Sequence, residues 1–112
     1  MLTTNSANTP KPPYYAVIFT SLRTNVEDGY EATNDYLFKI IENEVGFLGI
    51  ESARDLNGLG ITVSYWKDLE AIKTWKEQSA HAKAQDGGRK HWYSHYKVRI
   101  CLVEREYAFD KH

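Results

Sequence analysis

Hydrophobic and polar positions along the chain fall into two rhythms. Ile61-Thr62-Val63-Ser64-Tyr65-Trp66 alternates apolar with small polar residues, the period of a half-buried strand. Asp68 then stands at a helix N-cap position, and Glu70 lies in the first turn, where a carboxylate suits the positive end of the helix dipole. Leu69, Ile72 and Trp75 follow at helical spacing, so a strand leads directly into a helix. Ser79 reads as the cap of a second short helix, with Ala80, Ala82 and Ala84 as its small residues. On one continuous helix Trp75 and His81 point roughly 120° apart. A break near Ser79 is what would turn both toward one pocket.

The same two rhythms divide the rest of the chain. Residues 14–22 form a strand with Tyr15, Val17 and Phe19 on one face and Tyr14, Ala16, Ile18 and Leu22 on the other. Both faces are largely apolar, which predicts burial on both sides. Residues 25–29 are turn-like, with Asp28 as N-cap. Tyr30, Thr33, Leu37, Ile40 and Ile41 then repeat at three and four, predicting an amphipathic helix that ends before Gly46. Phe47 to Arg54 is a second strand, Asp55-Leu56-Asn57-Gly58 a tight reversal, and Gly60 to Trp66 the third strand. Gly87-Gly88 stops the helical region, and Lys97 to Arg105 is the fourth strand. Residues 1–13, polar and holding all three prolines, read as a flexible or extended lead-in. Residues 14–106 form one domain and residues 107–112 a tail.

Strand, helix, strand, strand, helices, strand, joined by right-handed crossovers, predicts an α+β fold: a ferredoxin-like βαββαβ sandwich with a four-stranded antiparallel sheet and helices on one face. The other face is left bare although the first strand is apolar on both sides. A second copy related by a two-fold axis is the simplest cover, so a homodimer with sheets packed face to face is expected.

Composition narrows the function. Fourteen Lys and Arg against fifteen Asp and Glu leave a net charge of -1, with no basic stripe, which argues against nucleic acid as a partner. Aromatic residues make up 13%, which favours a packed globule with a lined cavity. The single cysteine, Cys101, excludes an internal disulfide and lies in an apolar strand pattern, as a core thiol does. No window approaches a membrane span and the N-terminus lacks an apolar signal region, so the cytoplasm is the expected compartment. Gly58-Leu59-Gly60 is a turn and not a dinucleotide motif. His91 and His95 have a metal-ligand spacing only on a helix, which the flanking glycines and strand oppose, so no metal is expected.

YYAVIFTS, GFLGIES, GITVSYW, DLEAIKTWKEQSAHAKAQ and WYSHYKVRICLVER together resemble the antibiotic biosynthesis monooxygenase family from about Tyr14 to Arg105. The resemblance implies a dimeric α/β barrel of ferredoxin-like topology. It also implies one of several activities: cofactor-independent, quinone-forming oxidation of aromatic polyketides, haem degradation, or none assigned. The cofactor-independent enzymes pair a Trp on this helix with a Tyr six positions on and an Asn one turn before. Here those positions are Trp75, His81 and Ala71. Haem-degrading members need an Asn on the first strand and a His about ten residues after the Trp. Here the first strand has no Asn and Gln85 stands at the latter position, which disfavours haem.

An oxygenase without a cofactor draws its electrons from the substrate. It needs a base near the substrate hydroxyl and donors for the developing oxyanion. His81 suits the base, since histidine is the side chain whose unperturbed ionisation lies near neutrality. Trp75 would stack on a planar aromatic. Tyr65, Tyr93 and Tyr96 would add donors, and Arg89 would hold an anionic substrate. The competing reading makes Trp75 a core anchor and His81 a surface residue. Function is therefore read as a cofactor-independent monooxygenase acting on a planar aromatic or polyketide-like small molecule, with a non-catalytic small-hydrophobic-ligand-binding protein as the alternative and a haem-degrading monooxygenase as the second.

Overall fold

A computed structural model describes residues 6–85 and 91–111. The elements are β1 (Tyr14–Arg23), α1 (Tyr30–Ile41), β2 (Phe47–Arg54), β3 (Leu59–Trp66), α2 (Leu69–Gln85) and β4 (Tyr93–Val103). The strands make one antiparallel sheet in the order β2-β3-β1-β4, which is the expected ferredoxin-like βαββαβ topology.

Register decides which residues face the helices. Across β1 and β3, Tyr15 pairs with Trp66, Val17 with Ser64, Phe19 with Thr62 and Ser21 with Gly60. Across β1 and β4 the same four residues pair with Leu102, Ile100, Val98 and Tyr96. Paired residues share a face of the sheet. This is the helix side, because Ile41 of α1 and Ile72 of α2 close over Trp66, with Tyr15, Val17, Phe47, Ile50, Ala71 and Trp75 packed around them. Removing each large side chain of this cluster from water contributes about 1.5–3 kcal/mol. Trp66 is wholly buried, and its indole N–H donates to Ser64 Oγ at 2.8 Å, so its burial leaves no donor unmet.

Local chemistry sets the turns. Asp68 caps α2 as its position implies, its Oδ1 accepting the Ala71 N–H at 2.8 Å. Asp55 Oδ1 accepts from the backbone N–H groups of Asn57 and Leu59, and Gly58 takes φ +95°, closing the β2–β3 reversal. Gly46, at φ +86°, also lets the turn after α1 pass under α2: a Cβ there would lie 2.7 Å from Ala71 Cβ.

Three local expectations are corrected. α2 runs unbroken through Ser79, whose hydroxyl donates to the Lys76 carbonyl at 3.2 Å within the helix and caps nothing. The start of α1 is capped by Glu27 and not by Asp28. The Glu27 carboxylate accepts from Gly29 N–H at 3.2 Å and Glu31 N–H at 3.0 Å, while Asp28 takes a positive φ of 25° to let the chain turn. β4 begins at Tyr93 rather than Lys97, since β1 extends to Arg23 and pairs with it across a bulge.

Residues 6–13 carry no helix or strand and lie against the helix-free side of the sheet. Ala7 N–H donates to Glu51 Oε2 at 2.8 Å, and the Thr9 and Tyr14 hydroxyls both donate to Glu106. Thus the two ends of the chain meet on β1.

Candidate functional site

The helices cover β2, β3 and β1 and meet β4 at its start, where Tyr30 of α1 packs on Tyr93. On the helix side of β4, Tyr96, Val98, Ile100 and Leu102 remain 61, 48, 53 and 51% exposed. Strand alternation gathers them into one row about 20 Å long. Beside them run Phe19, Val17 and Tyr15 of β1, half-buried. The result is an open apolar trough between the helical layer and the edge strand. Trp75 stands toward its Leu102 end. It stacks on Trp66 with centroids 6.2 Å apart, and Trp66 is in register with Tyr15 and hence with Leu102.

The other end is aromatic. Phe19 stacks on Tyr96 at 5.7 Å and meets Tyr93 edge-on at 5.6 Å. Tyr30 of α1 meets Tyr93 at 5.8 Å and Trp92 at 5.5 Å. Trp92 is buried, its indole N–H reaching the Asp28 carbonyl at 3.2 Å, and so it pins the start of β4 beneath the loop before α1. The Arg23 guanidinium lies 3.5 Å over the Tyr30 ring. Burial, and then a hydrogen bond with Tyr30, push the Tyr93 hydroxyl well above the ordinary tyrosine value. It therefore stays protonated at neutral pH and serves as a donor, never as a base.

Of the residues singled out from sequence, Trp75, Tyr93 and Tyr96 lie on the helix side of the sheet. Trp75 belongs to the stripe Ile72, Trp75, Ser79 and Ala82, all buried or half-buried. His81 is exposed and a third of a turn away from Trp75, so α2 does not bring them together. Tyr65 lies across the sheet, because Trp66 next to it takes the helix side. Its hydroxyl donates to Glu51 at 2.7 Å and its ring meets Tyr14, and burial and the Glu51 bond push its ionisation up. Arg89 and the Gly87-Gly88 stop lie outside the described residues. Sequence reasoning gave no role to Phe19, Tyr30, Arg23 or Arg54. Arg54 was the most legible of these, since the Asp55–Gly58 reversal puts it opposite Gly60.

Among the described residues no three His, Cys, Asp or Glu side chains gather as metal ligands, and no helix is long and apolar enough to cross a membrane. A separate recess lined by Lys11, Pro12 and residues 104–107 lies where the two ends of the chain meet, and holds none of the residues above.

A ferredoxin-like α+β layer with an aromatic trough under its helices defines the class. The model of the antibiotic biosynthesis monooxygenase family matches residues 13–87, and the chain belongs to that family. It is 42% identical over 105 residues to YqjZ, an uncharacterised protein of Bacillus subtilis, covering 94% of this chain and 92% of that protein. Among solved structures it is similar to a variant of SnoaB, a cofactor-independent oxygenase from Streptomyces nogalater. That match has a TM-score of 0.66 and 8% identity, over 83% of this chain and 95% of that one. A protein of Pseudomonas aeruginosa matches with a TM-score of 0.63 and 17% identity, over 88% of this chain and 99% of that one. At these identities the structural likeness speaks to fold.

Proposed function

We propose that the protein is a cofactor-independent monooxygenase that oxidises a planar aromatic lying along the trough. The observation that carries this reading is the open apolar row of β4, bordered at one end by an indole and at the other by phenol donors. A polycyclic phenol or its keto tautomer fits such a slot by stacking and apolar contact. Once its proton has passed to water in the open trough, the anion carries the electrons for dioxygen itself. A methylene flanked by aromatic rings becomes a carbonyl, one oxygen atom staying on carbon and the other leaving as water, so no haem, flavin or metal is needed. Tyr93 and Tyr96 donate to the oxyanion, and Trp75 walls the far end. The protein acts as a homodimer through the helix-free face of its sheet, in the cytoplasm.

Oxygen uptake with anthrone tests the reading. Uptake with formation of the quinone is expected, and Ile100→Lys, which puts a charge in the trough, is expected to abolish it. Absence of uptake by the intact protein overturns it. The alternative, a binding protein for small hydrophobic ligands, is favoured by one observation: α2 turns His81 away from Trp75 and leaves the imidazole exposed. Saturable anthrone binding without uptake is the result that selects it.

A further inference from the structure

We infer that the Tyr93–Tyr96 end of the trough is an anion site, and that its ligand is a planar aromatic bearing an acidic oxygen, a phenolate or carboxylate, turned toward Arg54 and Arg23. The inference rests on the trough being an aromatic-ligand site and names the class of molecule it takes.

The charge distribution of the sheet is the first argument. Glu51 is the one acidic residue within the four strands, and it pairs with Val63 on the helix-free side. Lys97 and Arg99 face that side too, opposite Thr20 and Ile18. The helix side therefore holds Arg23 and Arg54 and no strand carboxylate. The residues that α1 and α2 bury against it, Thr33, Leu37, Ile41 and Ile72, are all uncharged.

The second argument is how Arg54 is held. A row runs across the helix side from Arg54 through Gly60 and Ser21 to Tyr96. The guanidinium lies flat over Gly60, where a Cβ would stand 2.4 Å from Arg54 Cζ, so glycine makes the room it occupies. Arg54 Nη1 donates to the carbonyls of Ser21 at 3.3 Å and Gly58 at 2.5 Å, and Nη2 to Ser21 Oγ at 2.8 Å. All three acceptors are neutral. They fix the cation and, among the described residues, leave it without a hydrogen-bonded carboxylate. Arg23 is fixed in the same manner, donating to the Trp92 carbonyl at 3.0 Å and the Val26 carbonyl at 2.7 Å while resting on Tyr30. The Glu27 carboxylate, which caps α1, feels the Arg23 charge, so Arg23 is partly answered where Arg54 is not. Both guanidinium charges reach the Tyr93 hydroxyl and act against the burial that raises it, so the field extends to where a ligand oxygen would sit. An anion placed there supplies the missing negative charge and receives phenolic donors; a cation meets two fixed positive charges.

Calorimetric titration of the full chain with naphthoate and with its neutral isostere naphthamide tests this. Naphthoate is expected to bind roughly tenfold tighter, the order of one hydrogen bond to a charged group. Arg54→Met is expected to erase that preference, Arg54→Lys to retain part of it, and Gly60→Ala, which displaces the guanidinium without removing it, to reduce it. Equal affinity for the two ligands, or a preference that survives both Arg54→Met and Gly60→Ala, overturns the anion site while leaving the trough as a ligand site. Binding of neither ligand overturns the trough, and the proposed function with it. Absorbance of bound nitrophenol separates the two anions: ionisation moved to lower pH assigns a phenolate site, and no shift beside a naphthoate preference assigns a carboxylate site.

Discussion

On an unbroken α-helix, residues six apart point roughly 120° from one another, and α2 passes through Trp75 and His81 without a kink. Trp75 stacks on Trp66 and packs against Ile41 and Ile72, while His81 faces outward. Trp75→Ala removes a half-buried indole from the edge of the core and is expected to cost about 2 kcal/mol, below the range for a fully buried Trp. His81→Ala, at an exposed position outside the core, is expected to cost less than Trp75→Ala. Urea unfolding of the two variants checks this, and equal losses would contradict the helix geometry. His81→Ala is also expected to keep its oxygen uptake with anthrone; loss of uptake at unchanged stability would restore the imidazole as the base. Residue identity alone made Trp75 and His81 candidates, but which way each points depended on whether Ser79 broke the helix. A serine bonded back to the carbonyl three residues earlier is silent on that in a sequence. The Arg23, Arg54 and Tyr93 grouping was hidden for a different reason: it joins three strands, and register had to be known first.

At the scale of elements, alternation made β1, β2 and β3 readable almost to the residue, because each has one face sealed by helices or by its own neighbours. The segment before Lys97 lacks that alternation. Tyr93 and Tyr96 share the Phe19 side only because a bulge interrupts the pairing at Leu22 and Arg23, so a strand looked like a loop. The entrance to α1 was misread for a related reason, since the cap is supplied from Glu27, behind a left-handed Gly29. That cap has a pH signature. Hydrogen bonds from the Glu31 and Gly29 N–H groups hold the Glu27 carboxyl below its ordinary value of 4.5. A lowered folded-state value means the stabilisation is present above the unfolded value and is lost as pH falls through the folded one. Glu27→Gln is therefore expected to lower the melting midpoint at neutral pH, and the gap to the parent protein should close as the solution is acidified below that value. A gap that stays constant down to acid pH would show that the carboxylate charge does not matter to the cap.

The whole molecule presents two uncovered apolar surfaces on opposite sides of one sheet, and they call for different occupants. On the helix side the β4 row is narrow and flanked by phenols and guanidinium groups, a shape and chemistry suited to a small ligand. On the helix-free side Leu22 pairs with Leu59, Thr20 with Ile61 and Ile18 with Val63 across β1 and β3, and Leu22, Leu59 and Ile61 are 37, 47 and 46% exposed. That patch lies on the two central strands, toward the Leu22–Leu59 end of their ladder, and stacked sheets pack about 10 Å apart. Lys97 and Arg99 lie beside it on β4, and Glu51 on β2, so opposite charges flank the apolar centre. A self-complementary two-fold contact needs about 800 Å² from each partner to be stable, so a contact on this side takes in the charged flanks as well as the apolar centre. Sedimentation of the parent protein at micromolar concentration is expected to give a dimer. Ile61→Lys, which buries an unpaired charge at the centre of the contact, is expected to give monomers. Ile100→Lys, on the other side of the same sheet, is expected to remain dimeric while losing ligand. If Ile100→Lys dissociates the protein and Ile61→Lys does not, the β4 row is the subunit contact, and the trough would have to be sought within the pair rather than within one chain.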